Sequence, residues 1–87
     1  MKRIDLNADV AEMPLVRELG IFAEVSSVNV CCGFHAGDPG TCRRALGEAK
    51  RRRIAAGAHP GYPDRARMGR HPLNLSSGEI RNLVRHQ

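Results

Sequence analysis

Two blocks of this sequence share one pattern. Gly33-Phe34-His35-Ala36-Gly37 and Gly57-Ala58-His59-Pro60-Gly61 both read Gly-x-His-x-Gly, and each closes a short apolar run. Those runs, residues 25–32 and 54–58, have the length and the β-branched or small-residue content of buried strands. The two histidines are 24 residues apart, enough for a helix, a strand and their turns. Such spacing belongs to parallel neighbours joined by a helical crossover, since an antiparallel pair needs only a tight turn. Parallel pairing would bring both imidazoles to one sheet edge, on strands about 4.8 Å apart.

The remaining segments extend the same alternation. In residues 3–10, Ile4, Leu6, Ala8 and Val10 alternate with Asp5, Asn7 and Asp9, the period-2 pattern of a strand with one apolar and one polar face. Glu12 lies just beyond its end. Residues 13–24 read as a mixed connection with a short helix around 15–19. Asp38 followed by Pro39 predicts a helix start, and Cys42, Ala45, Leu46 and Ala49 supply its apolar stripe. After a proline-containing loop, Ser76 and Glu79 have capping-box spacing, with Leu75 and Ile80 as the hydrophobic staple. Ile80, Leu83 and Val84 begin a stripe that stops at Gln87. The order β, α, β, α, β, α predicts an α/β fold with parallel strands, the opening portion of a larger sheet or barrel.

Composition agrees with an incomplete unit. Only 22 residues are Ile, Leu, Val, Met or Phe, and Trp is absent, so a self-sufficient core is not expected. Three strands leave unpaired edges, so the 87 residues alone are expected neither to fold stably nor to turn over a substrate. The net charge is +5, with residues 1–42 acidic and residues 43–87 carrying most of the cations. A basic half invites a polyanion-binding reading. Against nucleic acid, aromatic residues for base stacking are almost missing, and Lys50-Arg51-Arg52-Arg53 suits the C-terminal end of a helix. No apolar stretch is long enough to span a membrane. Asp5, Asn7 and Asp9 interrupt the apolar run that a secretory signal needs. Cys31, Cys32 and Cys42 form no disulfide framework and suit a reduced, cytoplasmic chain.

The chemistry-bearing residues gather at the predicted strand ends. His35 and His59 close the second and third strands, and Asp9 and Glu12 close the first, with Asp5 and Asn7 deeper on its polar face. In α/β sheets and barrels, ligands bind at that edge. Carboxylates and imidazoles placed there serve as general acids and bases or hold a divalent metal. The glycines let the backbone approach a ligand closely, and Asn29 adds a polar wall. Asp38 is a helix cap as well as a site candidate. The sequence contains no phosphate loop, dinucleotide fingerprint or nucleophile elbow.

Ile4-Asp5-Leu6-Asn7-Ala8-Asp9 with Glu12, the block 27–39 around His35, the block 57–64 around His59, and Gly69-Arg70 together resemble the LamB/YcsF family. The resemblance runs from residue 2 into the final helix. It implies an irregular parallel β/α barrel of the glycoside hydrolase/deacetylase kind, of which residues 1–87 are the N-terminal fragment, since such barrels need about 250 residues. It also implies ATP-dependent opening of 5-oxoproline to glutamate, performed with subunits B and C of 5-oxoprolinase. By that resemblance Asp5, Asp9, Glu12, His35 and His59 are catalytic candidates. Asn7, Asn29, Gly33, Gly37, Asp38, Gly61 and Arg70 surround the substrate. Asp9 or Asp5 suits the base that activates water and His35 or His59 the acid, while Arg70 suits neutralising anionic oxygen. Where the family usually has Leu-Gly-Glu, this chain has Val10-Ala11-Glu12, a mild departure that matters if a positive φ is required there. Two other readings stand beside this one: a metal-dependent amide or carbohydrate hydrolase using His35, His59 and an aspartate, and a non-enzymatic polyanion-binding fragment.

Overall fold

The computed structural model describes residues 2–87. Three strands, β1 (Asn7–Val10), β2 (Ser27–Cys31) and β3 (Ala55–His59), form one parallel sheet in the order β1-β2-β3. Helices α1 (Leu15–Glu24) and α2 (Pro39–Arg51) are the crossovers, and α3 (Ser77–His86) follows a long loop holding a single 3-10 turn at Arg65–Arg67. The expected α/β class and parallel pairing are therefore present, and the partial sheet has the form of part of a β/α barrel. Asp9 pairs with Asn29, which pairs with Gly57, and Cys31 pairs with His59, so the strand ends are in step.

One sheet face is apolar. Val10, Val28 and Val30 pack with Phe22 of α1 and with Ala45 and Ala49 of α2. The opposite face carries Asn7, Asp9, Ser27, Asn29 and His59. This division follows from period-2 alternation, which sends neighbouring side chains to opposite faces.

Local differences from the sequence reading have identifiable causes. β1 begins at Asn7 rather than residue 3, because the Leu6 N–H donates to the Ser26 hydroxyl instead of a ladder carbonyl. α1 runs to Glu24, well beyond the short helix expected. Leu15, Glu18 and Phe22 share its inward face, and burial of Phe22 holds turns that propensity alone leaves marginal. On α2, Leu46 is half-exposed while Thr41 is buried, a rotation of the expected stripe. Arg51 and Arg52 pair with Glu48 and hold its carboxyl down to about 2, so part of the cationic run is paired within the helix end.

The helix caps form as expected. Asp38 accepts from the Thr41 N–H and the Thr41 hydroxyl, each at 2.8 Å. These bonds hold its carboxyl below the usual aspartate range. Asp38→Ala is expected to lower the melting temperature by a few degrees. Because the folded-state pKa is depressed, the cap's contribution is present above the usual aspartate value and lost as pH falls through the lowered one. Melting curves of parent and variant should therefore converge in strong acid. In α3, the Ser76 hydroxyl accepts from the Glu79 N–H while the Glu79 carboxyl accepts from the Ser76 N–H.

Candidate active site

The polar sheet face is a hydrogen-bonded ladder. Asp5 accepts from the hydroxyls of Ser26 and Ser27, Asn7 donates to the Ser27 hydroxyl, and Asn29 donates to both Asn7 and Asp9. These bonds hold the Asp5 carboxyl below its usual range. They also place it at the start of the sheet, about 13 Å along the strand from Asp9. Asp5 is therefore not brought to the imidazoles, and Asn7 stands between the two ends. Asn29 reaches the site indirectly, by orienting Asp9 at 3.3 Å.

Four of the five catalytic candidates converge at the C-terminal edge. The rings of His35 and His59 meet edge to face with centroids 4.7 Å apart. Nδ1 of His59 lies 3.5 Å from Glu12 Oε1 and 3.8 Å from Asp9 Oδ1. That nitrogen is buried and has no hydrogen-bond partner among the described residues. A cavity of about 300 Å³ opens beside them, lined by Asp9, Glu12, His35, His59, Gly61, Gly69 and Arg70 among others.

His35 is 3% exposed. Burial, and then the neighbouring His59, push its pKa down, so its imidazole is neutral at pH 7. Two glycines make its slot. A Cβ on Gly61 would stand 2.2 Å from His35 Nδ1, and one on Gly69 would stand 2.9 Å from His35 Cβ. Only residues without a side chain let the loop close on the ring. The thiol of Cys31 lies beside the ring and donates to the Ala36 carbonyl at 2.9 Å, and burial pushes that thiol's pKa up. Cys31 is fully buried and packs in the core.

The other glycine candidates act on the backbone. Gly33 has φ +90, and its carbonyl accepts from Arg65. Gly37, at φ +69, backs onto the Ala11 carbonyl. Neither they nor Asp38, which caps α2, line the cavity between the imidazoles.

Glu18 is the residue that the sequence reading missed. It is 2% exposed, and its carboxyl accepts from the backbone N–H groups of Ala11 at 2.8 Å and of Glu12 and Met13 at 3.3 Å. It thereby holds the turn that carries Glu12 into the site, a turn in which Ala11 takes φ +65. The available signal was an acidic side chain on an otherwise apolar helix face, between Leu15 and Phe22. In Glu18→Gln an NH2 group would replace one accepting oxygen and face an N–H donor. A loss of roughly 1–2 kcal/mol is expected, measurable as a lower urea midpoint.

Comparison with known proteins gives this arrangement a lineage. The LamB/YcsF family model matches residues 4–87. The 5-oxoprolinase A subunit numbered 2 from Bradyrhizobium diazoefficiens is 51% identical over 92 residues, and the 5-oxoprolinase A subunit from Bacillus cereus (strain B4264) is 44% identical over 91. Each alignment covers all of this chain and 36% of the relative. The crystal structure of a lactam utilization protein from Thermus thermophilus superposes with a TM-score of 0.86 at 42% identity, over 99% of this chain and 36% of that one. The chain thus spans about a third of its relatives' length, and it belongs to the LamB/YcsF family.

Proposed function

We propose that these residues form part of the active site in the A subunit of a 5-oxoprolinase, opening the lactam 5-oxoproline to glutamate together with subunits B and C and ATP in the cytoplasm. The observation that carries this reading is the convergence of Asp9, Glu12, His35 and His59 on one cavity at the C-terminal sheet edge. The naming of relatives as 5-oxoprolinase A subunits, and of a structural neighbour as a lactam utilization protein, supports the substrate class.

Hydrolysis of a lactam adds water to the carbonyl carbon and breaks the C–N bond, and the nitrogen must gain a proton. Asp9 suits the base. It is half-exposed to the cavity and held by Asn29, whereas Asp5 is occupied by two serines at the far end of the sheet. After taking the water's proton, Asp9 can return it to the departing nitrogen, with His59 beside it to hydrogen-bond that nitrogen. Neutral His35 walls the pocket without adding a second cation. Arg70 lines the cavity and offers its guanidinium to anionic oxygen, whether the developing oxyanion or the substrate carboxylate. ATP would make the carbon electrophilic by phosphorylating the lactam oxygen; addition of water and cleavage of the C–N bond would then leave an acyl phosphate, from which a second water would release phosphate and glutamate.

The polar sheet face lies open in the 87 residues, which match 36% of the relatives' length, and these residues alone are expected to be inactive. A chimera tests the reading: these 87 residues replace the matching third of the Bradyrhizobium relative, and the product is combined with subunits B and C. ATP-dependent glutamate release from 5-oxoproline is the expected result. A well-folded chimera that assembles with its partners but releases none would overturn it.

A further inference from the structure

Building on the reading of this edge as a hydrolytic site, we infer that Glu12, His35 and His59 form a three-ligand site for a divalent cation of the zinc class, with Asp9 left free beside it. One ligating atom from each residue lies within 4.8 Å of the others. Around a tetrahedral ion with bonds of 2.0–2.2 Å, ligand atoms stand about 3.3–3.5 Å apart. His59 Nδ1 and Glu12 Oε1 already have that separation, at 3.5 Å. The other pairs need to close by about 1.5 Å at most.

A second observation points to the same ligand. His59 Nδ1 is buried without a hydrogen-bond partner among the described residues, although two carboxyl groups stand near it. A buried polar atom left unsatisfied is rare enough to require an explanation. A cation bound there supplies the missing partner, and it leaves the Nε2–H of His59 to hydrogen-bond substrate.

The surroundings are organised as metal ligands require. Glu18 fixes the backbone of Glu12, Gly61 and Gly69 clasp the His35 ring, and Asn29 keeps Asp9 turned to one side. Two imidazoles and one carboxylate favour zinc-class ions over magnesium or calcium, which prefer all-oxygen shells. Three protein ligands beside an open cavity are the pattern of a catalytic rather than a structural site. When bound, such a cation polarises a carbonyl or lowers the pKa of water.

The test is a titration with Co²⁺ followed by its visible absorption, then displacement by Zn²⁺. It is run on the chimera, with far-UV circular dichroism reporting the fold of each sample. One equivalent is expected to bind with the intense bands of four- or five-coordinate cobalt. Glu12→Gln and His59→Ala are each expected to weaken binding by about 100-fold or more, while Asp9→Asn keeps it. Absence of stoichiometric binding in the folded chimera overturns the inference, as does undiminished binding in both ligand variants. Stoichiometric binding without glutamate release upholds the cation site and overturns the lactam reading. Stoichiometric binding with undiminished glutamate release from metal-free protein upholds the cation site and overturns its catalytic assignment.

Discussion

Gly37→Ala is expected to lower the melting temperature of the chimera by about 6–12 °C. The new Cβ would stand 2.0 Å from the carbonyl oxygen of Ala11 and 3.3 Å from its carbonyl carbon. Both atoms are backbone, so no rotamer change can relieve the contact. Gly37 also sits at φ +69, where an L side chain adds about 1–2 kcal/mol of its own. Overpacking typically costs 1–3 kcal/mol where the surroundings can yield. Here they cannot, because Ala11 is fully buried and its N–H is held by Glu18. The two costs together are on the order of 3 kcal/mol or more. The damage would reach the site, since the same turn carries Glu12. Ala11→Gly separates the causes. At φ +65 it should relieve strain and raise the melting temperature slightly when made alone, yet it should not rescue Gly37→Ala, because the clash is with the carbonyl. Thermal unfolding of the chimera and its variants by circular dichroism decides the matter, and a shift of only a degree or two for Gly37→Ala would contradict this account.

Asp9→Asn is expected to reduce kcat for glutamate release by about 10²–10⁴ with little change in KM, the range associated with loss of a positioned base. The asparagine keeps an oxygen to accept from Asn29, so the ladder survives and the fold is preserved. What disappears is the ability to take a proton from water. Asp5→Asn makes the same chemical change on the same strand face. Its partners are Ser26 and Ser27 at the start of the sheet, so kcat should stay near the parent value. Steady-state kinetics on the reconstituted chimera distinguishes the two aspartates. Equal losses at both positions would contradict the assignment of Asp9 as the base.

The contrast between these aspartates marks how far the sequence can be read. Period-2 alternation puts Asp5, Asn7 and Asp9 on one face, and the hydrogen-bonded ladder follows that face. Alternation says nothing about where along the strand a ligand sits. Asp5 and Asp9 are equivalent to the pattern and separated by most of the strand in space. The repeated Gly-x-His-x-Gly similarly indicates two imidazoles at one sheet edge, and their rings meet there. The repeat does not show that the glycines differ in task. Gly61 makes room for His35, whereas Gly37 makes room for the Ala11 carbonyl.

The order of elements, their parallel pairing, the Asp38 and Ser76 caps and the polar face of the sheet are all legible in the sequence. All of these depend on residues close in the chain or on a simple period. The length of α1, the burial of Glu18 beneath the turn at Ala11, the distances among Glu12, His35 and His59, and the separation of Asp5 from them emerge with the folded chain. Each of these depends on where a turn sends the backbone and on which distant groups then meet. Glu18 shows why: on a helix of marginal propensity a carboxyl reads as solvent-facing, until three backbone N–H groups left unpaired by the turn after β1 supply the bonds that make its burial favourable.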